Sequence, residues 1–151
     1  MFTTVRYFVK TSIIFLVLGI LTGLYMSYTK YIGKTGYSLE LLSAHTHVIL
    51  VGSVMMMIMG VALWFFPRAE KSDTKYNPTL ILAVYWVMTI STGGRFITQA
   101  IKSFYWLEFL DIFIFTFSAL QIVGMILFFY SIWGRIRSVG SHIREAKGEK
   151  F

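Results

Sequence analysis

The chain has 151 residues, of which 56% are hydrophobic and only 14% charged, and its mean hydropathy is +0.67. A soluble domain of this length cannot hide that much apolar side chain, so most of its surface has lipid as solvent. The absence of cysteine excludes a disulfide framework, thiolate metal sites and covalent haem attachment, leaving His, Met and oxygen as metal ligands.

The apolar residues fall into four blocks, each near the roughly 20 helical residues that a bilayer core requires. The fold expected is therefore an all-α membrane protein, a four-transmembrane-helix bundle in one domain over residues 1–134, with a basic tail over 135–151. The first helix is expected over 8–28. Its apolar run is too long for a secretory signal and no small-residue cleavage site follows, so it is read as a mature helix. Gly19, Gly23 and Ser27 recur along it at four-residue spacing, a small-residue face that lets another helix approach closely, with ordinary intrachain packing preferred over a dimer seam.

Residues 29–37 carry Lys30, Gly33, Lys34 and Gly36 without periodicity and read as a surface loop. Ser38 is placed to cap the second helix, expected over 39–66 and stopped by Pro67. After a polar stretch, Asn77 followed by Pro78 has the cap-then-proline order that opens a third helix, expected over 78–101. Lys102 and Ser103 form a tight connection, and Phe104, Tyr105 and Trp106 are read as an aromatic belt opening a fourth helix, expected over 105–133. The tail holds Arg135, Arg137, Arg144, Lys147 and Lys150 and reads as a solvated basic segment, with an amphipathic segment along the inner leaflet as the other reading.

The net charge of +7 reflects cations at the ends of apolar blocks, where membrane topology puts them, and gives no reason to expect nucleic acid as a partner. Arg6, Lys10, Arg68, Lys71, Lys75 and the five tail cations lie on one side; Lys30, Lys34 and Lys102 lie on the other. The cation-rich side is expected to be cytoplasmic, so both termini are inside (N-in/C-in) and the loop before the second helix faces outward.

His45 and His47 stand inside the apolar second block, where an unpartnered imidazole is costly and a functional role is the default expectation. His142, in the tail, reads as solvated. Residues two apart on a helix point about 200° away from each other, so the pair cannot grip one haem from both sides within a single helix. On the face of His45 come Ile49, Gly52, Met56 and Gly60, and the glycines remove side chains where a flat macrocycle would lie. On the face of His47, Val51, Val54 and Ile58 read as lipid contact or packing. The competing reading for His45 is a histidine hydrogen-bonded to a neighbouring helix. Met55, Met56, Met57 and Met59 point in different directions and read as packing rather than a soft-metal site.

The run Ser43, Ala44, His45, Thr46, His47, then Val48 to Gly60, Trp64 and Pro67, resembles the second helix of haem-copper oxidase subunit I, the nitric oxide reductases included. The likeness is strong over this helix and looser over the order of the first four helices, and it extends to short four-helix relatives carrying a His-x-His. It implies that His45 ligates a low-spin b-type haem, held non-covalently, near the outer end of the helix, as the cation asymmetry independently suggests. The family's remaining ligands, for the low-spin haem, copper and high-spin haem, lie on later helices that this chain lacks. An oxygen- or nitric-oxide-reducing centre is therefore not expected, nor is copper.

A haem on His45 needs another axial partner or an open site, and a second copy of the chain is the simplest source, so a homodimer is expected. The second ligand stays open between His45 or His47 of that copy and a methionine. Arg95 on the third helix, beside Gly93 and Gly94, falls at the level of His45 and needs an anion: a haem propionate, or Glu108 or Asp111. The reading is thus a b-type haem protein of a bacterial or archaeal inner membrane that passes electrons, to a quinone or a cytochrome, or senses a small ligand. Its rival is a non-redox accessory subunit, or a haem- or copper-handling protein, of a respiratory complex. No nucleophile, base and orienter can be assembled for a hydrolase or transferase.

Overall fold

The structure is a computed structural model that describes residues 2–66, 77–136 and Gly148. Pro67, the polar stretch after it, His142 and the tail beyond Ile136 lie outside the described residues. The described residues form four long helices: α1 (Phe2–Tyr31), α2 (Leu39–Phe65), α3 (Pro78–Phe104) and α4 (Leu110–Ile132), the last followed by a 3-10 turn, Trp133–Arg135. Each of the four is long and apolar enough to cross a membrane, so the described residues have the all-α architecture of a multi-pass membrane protein.

The helices outrun or fall short of the apolar blocks for a common reason: an apolar block marks hydrocarbon, whereas a helix ends where its hydrogen-bond ladder is broken. α1 continues to Tyr31 because nothing between Phe2 and that residue breaks it. It closes when Ile32 and Gly33 donate to the Tyr28 carbonyl, and Thr35 and Gly36 to that of Thr29. Lys34 (φ 52°) and Gly36 (φ 73°) then turn the chain through the left-handed region. At the start of α2 the Ser38 side chain accepts the Leu41 N–H at 3.2 Å, and at the start of α3 the Asn77 side chain accepts that of Thr79 at 2.9 Å. Lys102 and Ser103 belong to the last turn of α3. The aromatic belt does not open α4: Tyr105 is extended, Tyr105 and Trp106 lie exposed in the connection, and α4 begins only at Leu110.

α2 is not a uniform α-helix. It is α-helical over Leu39–His47, π-helical over Val48–Met55 and α-helical again over Met56–Phe65. The wide π turns begin directly after His47, and such segments are concentrated at functional sites. Hydrophobic periodicity gives no warning here, because a run that is apolar on nearly every side has no phase to lose.

α1 packs antiparallel on α2: Gly19 faces Ile49, Gly23 faces His45, and Gly60 faces Phe8 and Val9. The small-residue face of α1 thus serves intrachain packing. α2 lies beside α3 through Ser38 and Ser103 (Oγ to Oγ 2.8 Å) and through Gly52 and Thr92. α3 carries α4, with Gly94 under Phe117 and Gly124 under Met88. The core, including Phe8, Val48, Met56, Met59, Leu63, Ile81, Val84, Met88 and Phe128, lies where α1, α2 and α3 meet, with one edge of α4. Met56 and Met59 are fully buried there, as packing residues.

Candidate functional site

The ring of His45 is held against α1. Its Nδ1 lies 3.0 Å from the Gly19 carbonyl oxygen. A carbonyl only accepts, so Nδ1 is the donor, and in the neutral ring the lone pair lies on Nε2. The same logic fixes His47, whose Nδ1 lies 2.9 Å from the Ser43 carbonyl one turn back. Histidines that bind iron or zinc are set in this way, with the other ring N–H given to a carbonyl or carboxylate.

The two imidazoles serve different sides of α2. His45 lines a groove of about 260 Å³ between α1 and α2, whose walls include Gly23, Met26, Lys30, Tyr37 and Leu42. His47 shares a flank with Ser43, whose hydroxyl accepts a hydrogen bond from Gln99 Nε2 of α3 at 2.9 Å. The glycines on the His45 side take up α1: a Cβ on Gly52 would stand 2.9 Å from Phe15 Cγ and 2.8 Å from Thr92 Cγ2. The face of Gly52 expected to receive a macrocycle is therefore filled within the chain.

Arg95 engages neither of the acids weighed against a propionate. Its Nη1 donates to Gln121 Oε1 of α4 at 3.1 Å, and Gln121 Nε2 donates to Thr92 Oγ1 at 3.1 Å. Asp111 is taken by Lys102, which also stands 3.7 Å from Glu40 and so ties the ends of α2, α3 and α4 together. Among the described residues no carboxylate lies within ion-pair distance of Arg95. Arg95 Nε and Gln99 Oε1 are buried without a hydrogen-bond partner. Arg95 falls between Thr92 and Gln99, which touch Gly52 and Ser43 of α2. It is not among the residues that line the groove of His45. The cation beside His45 is Lys30.

Four of these residues escape the sequence reading: Gln99, Gln121, Gly23 as the seat of His45, and Lys30 as a groove residue. The two glutamines had a signal, since an amide inside an apolar block is costly unless partnered. The other two depend on which helix faces His45, which spacing within one helix does not encode.

Among the described residues no group of three or more His, Cys, Asp or Glu side chains is gathered as a metal cage. A haem iron asks less, because the macrocycle brings four nitrogens and the protein adds one or two axial ligands. Comparison of the chain with family models, with characterised proteins and with solved structures returns no match.

Proposed function

We propose that this is a membrane-embedded b-type haem protein that passes electrons, with His45 Nε2 as an axial ligand. The observation that carries the reading is the Nδ1–H bond from His45 to the Gly19 carbonyl, which leaves a lone pair on Nε2 at a groove between two membrane-spanning helices. The groove residues suit a haem edge: Met26 and Leu42 are apolar, and Lys30 is a cation for a propionate. When bound, the haem supplies the one-electron couple. The chain would hold the imidazole through the Gly19 carbonyl, and Lys30 would neutralise carboxylate charge. Arg95 would serve a propionate only for a haem on the His47 side of α2.

One imidazole fills one axial position, and an open groove covers one face of a macrocycle. A second copy would complete both, so the working unit is a homodimer whose other ligand is His45 or His47 of that copy, or a methionine. The cation asymmetry supports an N-in/C-in orientation with the groove at the outer level, and the resemblance to oxidase subunit I supports a bacterial or archaeal inner membrane and a quinone or cytochrome as redox partner.

The same Nδ1 bond favours one other reading, in which His45 merely ties α1 to α2 in an accessory or haem- or copper-handling subunit. Haem quantitation on His45→Ala and His47→Ala, each checked for a monodisperse helical protein, separates the two. Haem binding at His45 predicts loss of the pigment in His45→Ala; a full haem complement in that variant contradicts the ligand assignment.

A further inference from the structure

A second groove lies between α1 and α2 at the opposite end of the bundle, with a volume of about 330 Å³ and lined by Val5, Arg6, Val9, Gly60, Val61 and Trp64. Its floor is a close approach of the two helices: a Cβ on Gly60 would meet Phe8 Cβ and Val9 Cγ2 at 3.0 Å. Its walls are apolar and open, with Val61 and Trp64 exposed. At its mouth stands the exposed Arg6, in the second turn of α1. Lys10, also exposed, follows one turn later on the same face. Side chains on a helix lean toward its N-terminus, and a lysine near a membrane helix end can extend its ammonium to the interface, so Lys10, one turn from Arg6, is within reach of the same headgroup level. Trp64, near the end of α2, has the amphipathic character of a headgroup-level residue. Among the described residues neither cation has a carboxylate within ion-pair distance.

We propose that this groove binds an anionic phospholipid, with one acyl chain along Val5, Val9 and Val61 and the phosphate on Arg6 and Lys10. An apolar trough capped by two cations complements a lipid with a net negative headgroup. A zwitterionic lipid of the same chain length fits the trough but carries its own cation to the mouth. Basic pockets between membrane helices bind anionic headgroups by this combination.

The test is native mass spectrometry of the full chain in detergent, with phosphatidylglycerol and phosphatidylcholine of identical acyl chains supplied in equal amounts. Two cations near the membrane surface predict a preference for phosphatidylglycerol of about thirtyfold, which is about 2 kcal/mol. Arg6→Gln with Lys10→Gln abolishes the preference. Lys34→Gln, which removes a charge at the other end of the bundle, retains it. Val61→Trp fills the trough and lowers retention of both lipids. Equal binding of the two lipids, a preference that survives in the double variant, or a parallel loss in Lys34→Gln overturns the proposal. So does competition by glycerol phosphate as strong as that by the lipid, which would assign the affinity to phosphate alone. Helical circular dichroism on every variant keeps misfolding distinct from loss of the site.

Discussion

The imidazole of His45 rests on Gly23: a methyl group on that α1 residue would stand 2.8 Å from His45 Cε1 and 3.5 Å from each ring nitrogen. The ring has no room to stay where it is if Gly23 gains a side chain, and its Nδ1 would be levered from the Gly19 carbonyl, 3.0 Å away. Losing the partner that orients a ligating histidine typically costs about 10–100-fold in metal affinity. Gly23→Ala is therefore expected to weaken haem binding by about that factor, read by haem titration of the purified protein, with the helical content unchanged. An unaltered affinity would mean that the seat of His45 has no bearing on the ligand.

Among the described residues, Gln121 is the one side chain hydrogen-bonded to the Arg95 guanidinium, and it passes a second bond to Thr92. Removing it leaves a partly buried cation with fewer donors satisfied. Gln121→Leu is expected to destabilise the bundle by about 2 kcal/mol, in the range for hydrogen bonds to charged groups. Gln121→Glu gives Arg95 a carboxylate and is expected to raise stability above that of Gln121→Leu. Reversible unfolding in mixed micelles reads both; a Leu variant as stable as the parent would contradict the role assigned to this pair.

The chain has no cysteine, so its topology can be mapped with single substitutions and no background. Lys34→Cys in the α1–α2 connection is expected to react with an impermeant maleimide on intact cells. Asn77→Cys, at the start of α3, is expected to react only after permeabilisation. The reverse pattern would put the His45 groove on the cytoplasmic side and remove the support that topology lends to the comparison with oxidase subunit I.

The four membrane helices were legible in the sequence because lipid demands long apolar blocks, and Ser38 and Asn77 stood out because caps are local chemistry. Helix ends were less legible: Phe104 to Leu107 are aromatic or apolar enough for a membrane helix, but Tyr105 adopts an extended backbone and α4 waits for Leu110. The π stretch after His47 was hidden by a sequence apolar on almost all sides. Among site residues, the two intramembrane histidines announced themselves by the cost of burying them, and the structure separates them onto different flanks of α2, as their spacing requires. Gly52 was legible as a close-approach residue, but the approaching groups are Phe15 and Thr92. Partners across helices, such as Gly23 for His45 and Gln121 for Arg95, belong to the tertiary arrangement and are not written into any one helix.

The central claim is tested most directly by a reduced-minus-oxidised absorption spectrum of the protein purified in mild detergent, with haem supplied during expression and the pigment quantified as its pyridine haemochrome. Sharp low-spin b-type bands, stoichiometric with the chain or with its dimer, are expected. A colourless protein that is well folded and monodisperse would contradict it.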